Sequence, residues 1–244
     1  MQDHAATQFR LAIEDASGFL STCDGGDPGS VMAPSVWLLG IEPGWSFADQ
    51  QADAAADPEA TEQLETYAIE RQLTWAFNRN AFKLLAPIEG HPARDYRDFA
   101  MRKQPFALGS KGYLKGNLFP VPFNSVAAWD EHASRTTGFG TKEEYKSWVR
   151  AVRFPILKAW IERCRPRLVI GSGITHLDDF QEIVGAGEPA KEFQFAVNGH
   201  TKRVLINTSG TVPIAIIPHL SGGSHSLNSY ESIERTAAII RSEI

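Results

Sequence analysis

Glu42, Asn117 and His219 each stand where an apolar run gives way to a turn. The runs are VWLLGIEPGW (36–45), GYLKGNLFPVP (112–122) and PIAIIPHLSGGSH (213–225). Each delivers one polar side chain to the C-terminal end of a strand, the end at which ligands sit in open α/β sheets. A carboxylate, a carboxamide and an imidazole converging there bring together acid–base groups and a paired hydrogen-bond donor and acceptor.

The elements that must position these groups can be read along the chain. Residues 7–22 have the spacing of an amphipathic helix, with Phe9, Ile13, Phe19 and Leu20 available for burial. A Gly/Asp/Pro-rich loop, 23–35, leads into a strand at 36–40, closed by Glu42-Pro43-Gly44. Residues 52–60 read as an exposed excursion, and 61–85 as one helix or two. An irregular, basic stretch over 87–111 precedes a second strand at 113–119. Thr141 and Glu144 have capping-box spacing. They start a helix that runs to about Cys164, and Pro155 kinks or splits it. A third strand at 167–170 ends in Gly171-Ser172-Gly173, and strands 193–197 and 203–207 form a hairpin through Asn198-Gly199. The last strand, 214–217, precedes a helix capped by Asn228 or Ser229, with Ile233, Ala237 and Ile240 inward. Apolar strands alternating with helices imply an α/β fold. It is a three-layer α/β/α arrangement with a central, mostly parallel four-stranded sheet and a small β-hairpin insertion.

Composition narrows the function classes. Of 244 residues, 43% are hydrophobic, enough for a sizeable core, and no apolar run is long enough to span a membrane. The N-terminal MQDHAATQFRLAIEDASG lacks a basic region and a long apolar region, so the sequence predicts no secretory leader and a cytoplasmic location. Two cysteines, Cys23 and Cys164, exclude a disulfide framework, a Cys-rich zinc site and a four-cysteine cluster within one chain. The net charge of −5 argues against an obligate nucleic-acid coat. A basic stretch (Arg94, Arg97, Arg102, Lys103, Lys111, Lys115) still contrasts with an acidic one over 49–70.

In motif order, from about Val36 to the C-terminus, the chain resembles the uracil-DNA glycosylase superfamily. Gly40-Ile41-Glu42-Pro43-Gly44 is similar to the first motif, with Glu42 in the place of the Asp or Asn that orients or activates the attacking water. Trp45 follows directly. Phe77-Asn-Arg-Asn-Ala-Phe-Lys-Leu-Leu85 is similar to the stretch whose Phe stacks on an extruded base. Phe77 takes that place, with Trp75 and Trp45 as rivals. Asn117 matches the Asn that reads uracil's O4 and N3–H edge. His219 in Pro213–Ser221 matches the His that stabilises charge growing on uracil O2, Leu220 stands where the family has Pro, and Ser221 would contact a DNA phosphate.

The resemblance implies one domain over 1–244, a monomer acting on single- or double-stranded DNA. It would hydrolyse the N-glycosidic bond of uracil or a modified pyrimidine without metal or cofactor. Glu42 and His219 would be catalytic, and Asn117, Phe77, Gly40, Ile41, Pro43, Gly44, Trp45 and Ser221 would bind substrate. The family's cluster-binding cysteines are missing, which makes this a cluster-free relative. A base- or nucleic-acid-binding protein of the same fold without turnover is the alternative. A serine hydrolase through Ser172 lacks the G-x-S-x-G elbow, and zinc at His200, His219 and His225 lacks ligand spacing. His4, His91, His132 and His176 read as surface residues.

Overall fold

The computed structural model describes residues 2–44, 68–121 and 129–244. Trp45, the excursion at 52–60, the first part of the helical pattern (61–67) and Pro122 lie outside the described residues.

Four parallel strands form the centre: β2 (Val36–Gly40), β3 (Tyr113–Asn117), β4 (Leu168–Ser172) and β7 (Ile214–Ile217). Their spatial order is β3-β2-β4-β7. Register sets Gly40 beside Asn117, Leu38 beside Ile170, and Ser172 beside Ile217, so the strand ends that carry the motifs lie along one edge. All positions of β2, β4 and β7 are buried, as expected of strands covered on both faces.

The sheet has seven strands rather than four. The hairpin β5 (Lys191–Val197) and β6 (His200–Asn207) is not an appendage. It joins the sheet antiparallel to β7 through Leu205↔Ile216. Two glycines, β1 (Gly25–Gly26), pair with β3 on the opposite side. The hairpin turns at Asn198-Gly199, both with positive φ (50° and 75°), which suits Asn and Gly. Apolar residues of β6 alternate between two cores, Leu205 on one and Val204 with Ile206 on the other. That alternation is the reason the strand joins the sheet rather than standing off it.

Helices cover both faces. Phe154, Leu157 and Ile161 pack with Trp37, Leu39 and Val169 on one side. Phe82, Leu85, Ile233 and Ala237 pack with Val36, Leu38 and Ile170 on the other. The helix α6 (Lys142–Cys164) runs unbroken through Pro155 and starts at the capping box of Thr141 and Glu144. Three other elements differ from the pattern read in the sequence. The first helix, Gln2–Glu14, stops because the Asp15 carboxylate accepts from the Ser17 N–H and hydroxyl (2.8 and 2.6 Å), and a separate turn, Phe19–Thr22, follows. Leu20 is exposed there, while Ile13 and Phe19 are buried. The basic stretch contains a helix, Tyr96–Lys103, whose Tyr96, Phe99 and Ala100 at i, i+3 and i+4 are buried. Finally, β3 ends at Asn117, although the N–H groups of Leu118 and Phe119 still reach the carbonyls of Gly40 and Ile41 (3.0 and 2.9 Å).

The capping box fixes where α6 begins, and so where its first lysine sits. Thr141→Ala is expected to cost about 1 kcal/mol, read as a lower urea midpoint at unchanged slope. An unchanged midpoint would show that the box contributes nothing.

Candidate functional site

Strand order places a topological switch point between β2 and β4, because the chain leaves β2 for β3 on one side and returns to β4 on the other. Crevices at such points, beyond the carboxyl ends of the strands, are where ligands bind in open α/β sheets. A cavity of about 640 Å³ lies there. Ile41, Glu42, Pro43 and Gly44 line it from β2, Gly173, Ile174 and Thr175 from β4, and Pro218, His219 and Ser221 from β7. Thr201 and Arg203 of the hairpin complete the wall.

Glu42 is held by α6. Its Oε2 accepts from Lys142 Nζ at 2.9 Å, and Lys146 Nζ stands 3.8 Å from Oε1. The Glu42 side chain is 5% exposed, and among the described residues its buried Oε1 has no hydrogen-bond partner. Burial pushes the Glu42 carboxyl up; Lys142, then Lys146 and His176, oppose that. Burial likewise pushes the Lys142 ammonium down.

His219 packs against Phe77, with ring centroids 5.4 Å apart and the planes tilted by 56°. Burial lowers its pKa from 6.5, so the ring is neutral at pH 7. The Ser221 N–H donates to Nδ1 at 3.2 Å and the Ser221 hydroxyl lies 2.7 Å from the same nitrogen. Nδ1 therefore accepts, and the ring proton is assigned to Nε2, leaving an N–H donor on the far side of the ring. The Ser221 hydroxyl, expected at a phosphate, is engaged in orienting His219. Leu220 is fully buried in the core, and its carbonyl accepts from Asn80 Nδ2 at 2.7 Å. Leu220 is thus the loop's apolar anchor.

Asn117 and Phe77 are not among the described residues that line the cavity. Asn117 Nδ2 donates to Asp24 at 3.0 Å, and Asp24 also pairs with Lys115 at 3.0 Å. Lys115 Nζ in turn lies 5.2 Å from the centre of the Phe77 ring. Asp24, Asn117, Lys115 and Phe77 form a second cluster that meets the first at His219. Gly40 serves it by being small: a Cβ there would come within 2.4 Å of Asn117 Oδ1. Gly173 is required for both reasons that favour glycine, with φ +136° and Ile41 Cδ1 at 2.5 Å from a built Cβ.

Of the four histidines read as surface groups, His176 is half-withdrawn into an ion cluster. Its Nδ1 lies 2.7 Å from Asp179, and Arg150 holds Asp179 with two bonds of 2.7 and 3.0 Å. Although burial pushes the Asp179 carboxyl up, His176 and Arg150 bring it down to about 2. The i, i+3 spacing of His176 and Asp179 at the start of helix Leu177–Val184 was the available sequence signal. Lys142, Lys146 and Arg150, four residues apart on α6, were a second. Ser172, by contrast, is fully buried with its hydroxyl unpartnered, and so is no nucleophile facing the cavity. No group of three His, Cys, Asp or Glu side chains able to hold a metal ion occurs among the described residues. No helix among them is long and apolar enough to cross a membrane.

No protein-family model matches the chain, and no curated protein matches its sequence.

The ion cluster makes a pH-dependent stability claim. Removing the Lys142 cation leaves Glu42 buried with one distant partner and raises its folded-state pKa further above 4.5. A carboxyl raised in the folded state binds its proton more tightly there than when unfolded, so its cost is absent at low pH and grows as pH rises. Lys142→Met is therefore expected to cost about 3 kcal/mol near pH 8 and much less near pH 5. Urea titrations at the two pH values check this, and an equal loss at both would mean that Glu42 does not titrate as described.

Proposed function

We propose that the protein is a DNA glycosylase that hydrolyses the N-glycosidic bond of uracil or a modified pyrimidine, in the manner of the superfamily its motifs resemble. The observation that carries this reading is that Glu42 and His219 line one cavity at the switch point of the sheet. Its volume, about 640 Å³, falls in the range of small-molecule sites. In this reading the three-layer α/β/α core of four parallel strands is the scaffold, and the hairpin and β1 are additions to it.

The chemistry follows from the two ends of the cavity. The Glu42 carboxylate positions a water molecule and draws on its proton as oxygen attacks C1′. The carboxyl's raised pKa makes it a better acceptor than an exposed glutamate. The C1′–N bond breaks, and its electron pair leaves with the base. The His219 Nε2–H, neutral and pre-oriented by Ser221, donates to the base oxygen on which charge grows. Phe77 offers a stacking face beside His219, and Asn117, held by Asp24 just outside the cavity wall, would have to turn from Asp24 to read the pyrimidine edge. DNA is the partner, and a target nucleotide leaves the stack to reach the cavity.

Excision assays on single- and double-stranded DNA carrying uracil or modified uracils, scored as abasic sites, test the proposal. His219→Ala is expected to lose about 100-fold or more in single-turnover rate, and Asn117→Ala to lose excision with the fold intact. Glu42→Gln discriminates: a large loss means that Glu42 takes the water proton, and a small one means that it only positions water. Wild-type rates in His219→Ala or Asn117→Ala would sink the assignment. Tight binding without product across the whole panel would favour the non-catalytic base-binding reading.

A further inference from the structure

Lys202, on hairpin strand β6, is 4% exposed, yet among the described residues no carboxylate forms an ion pair with it. Its ammonium donates instead to two backbone carbonyls of the segment after β7, Ser224 O and, at 2.9 Å, Ser226 O. That segment carries His219, Ser221, His225 and Ser226 to the cavity. Glycines at 222 and 223 and exposed positions from 222 to 225 give its tip little packing of its own. Its other fastenings are local or at its ends: Ser226 Oγ and Asn228 Nδ2 donate to the Gly222 and Gly223 carbonyls at 3.0 and 2.9 Å, His225 packs on the His200 ring, Asn80 holds the Leu220 carbonyl, and the Leu227 N–H donates to His219 O at 2.9 Å. Strand alternation explains the division of labour in β6. Thr201 and Arg203 face the cavity, and Lys202 between them turns to the opposite face, beneath the segment.

We infer that Lys202 is a positioning residue: its buried ammonium latches the 219–227 segment to the hairpin and so sets the cavity wall that carries His219 and Ser221. Charge-assisted hydrogen bonds are the stronger class, and a cation buried on carbonyls alone is retained only where those bonds are made. The hairpin thereby joins the site without contributing a reacting group. Its bearing on excision rests on the proposed function; its bearing on the segment does not.

Amide hydrogen exchange on the free protein reads the latch without any substrate. In Lys202→Met the Ser226 and Leu227 amides are expected to exchange at least about tenfold faster, while amides of β2 and β4 are unchanged. Lys202→Arg, which keeps the charge and the donors, should restore much of the protection. Unchanged exchange at 226 and 227 in Lys202→Met overturns the inference. Faster exchange everywhere, with no rescue by Arg, also overturns it, because Lys202 would then be a general stability element. Given excision by the wild type, Lys202→Met should lower kcat by about tenfold with a smaller change in KM, because His219 acts on charge that grows in the transition state. A wild type that excises nothing removes the glycosylase reading and leaves the exchange result to decide the latch.

Discussion

A buried carboxylate must be paired, and the pairing of Glu42 organises much of this molecule. Its side chain sits at the end of β2 with 5% exposure, where an isolated charge would be expelled or neutralised. Lys142 and Lys146 supply the compensation from one face of α6. They can do so only if that helix starts at Thr141 and stays in phase past Pro155, where Leu157 and Ile161 lock it into the core. The same face continues to Arg150, which fixes Asp179 and through it His176. One helix thus sets the charge environment of Glu42 and of the neighbouring pocket lined by Arg150, His176 and Asp179.

The opposite wall works by a different rule. His219 is neutral, and its orientation comes from Ser221 and its contact with Phe77 rather than from an ion pair. The cavity thus carries a carboxylate paired to cations behind it and a neutral imidazole, both on its lining. The compensation at Glu42 is incomplete among the described residues, since Oε1 has no hydrogen-bond partner there.

Much of the scaffold was legible in the sequence because it depends on local rules. Apolar runs gave the four central strands, Asn198-Gly199 the hairpin turn, and Thr141 with Glu144 the start of α6. What was not legible depends on residues far apart in the chain. The hairpin's place in the sheet rests on pairing between β6 and β7. The Glu42–Lys142 pair spans 100 residues, and the Asp24–Asn117 bond spans 93. Nothing local marks Lys142 as a partner of Glu42, or Lys202 as a partner of two loop carbonyls. Glu42 and His219 stood out in the sequence because each comes just after its strand, and both line the cavity. Asn117 and Phe77 stood out as well, but they lie beside the cavity in a cluster with Asp24 and Lys115.

The most direct measurement is a carbon-13 titration of the Glu42 carboxyl in the free protein and again with free uracil present. The account predicts an ionisation above the ordinary glutamate range, shifted by uracil through the shared cavity. A Glu42 that titrates in the ordinary range and does not respond to uracil would contradict it.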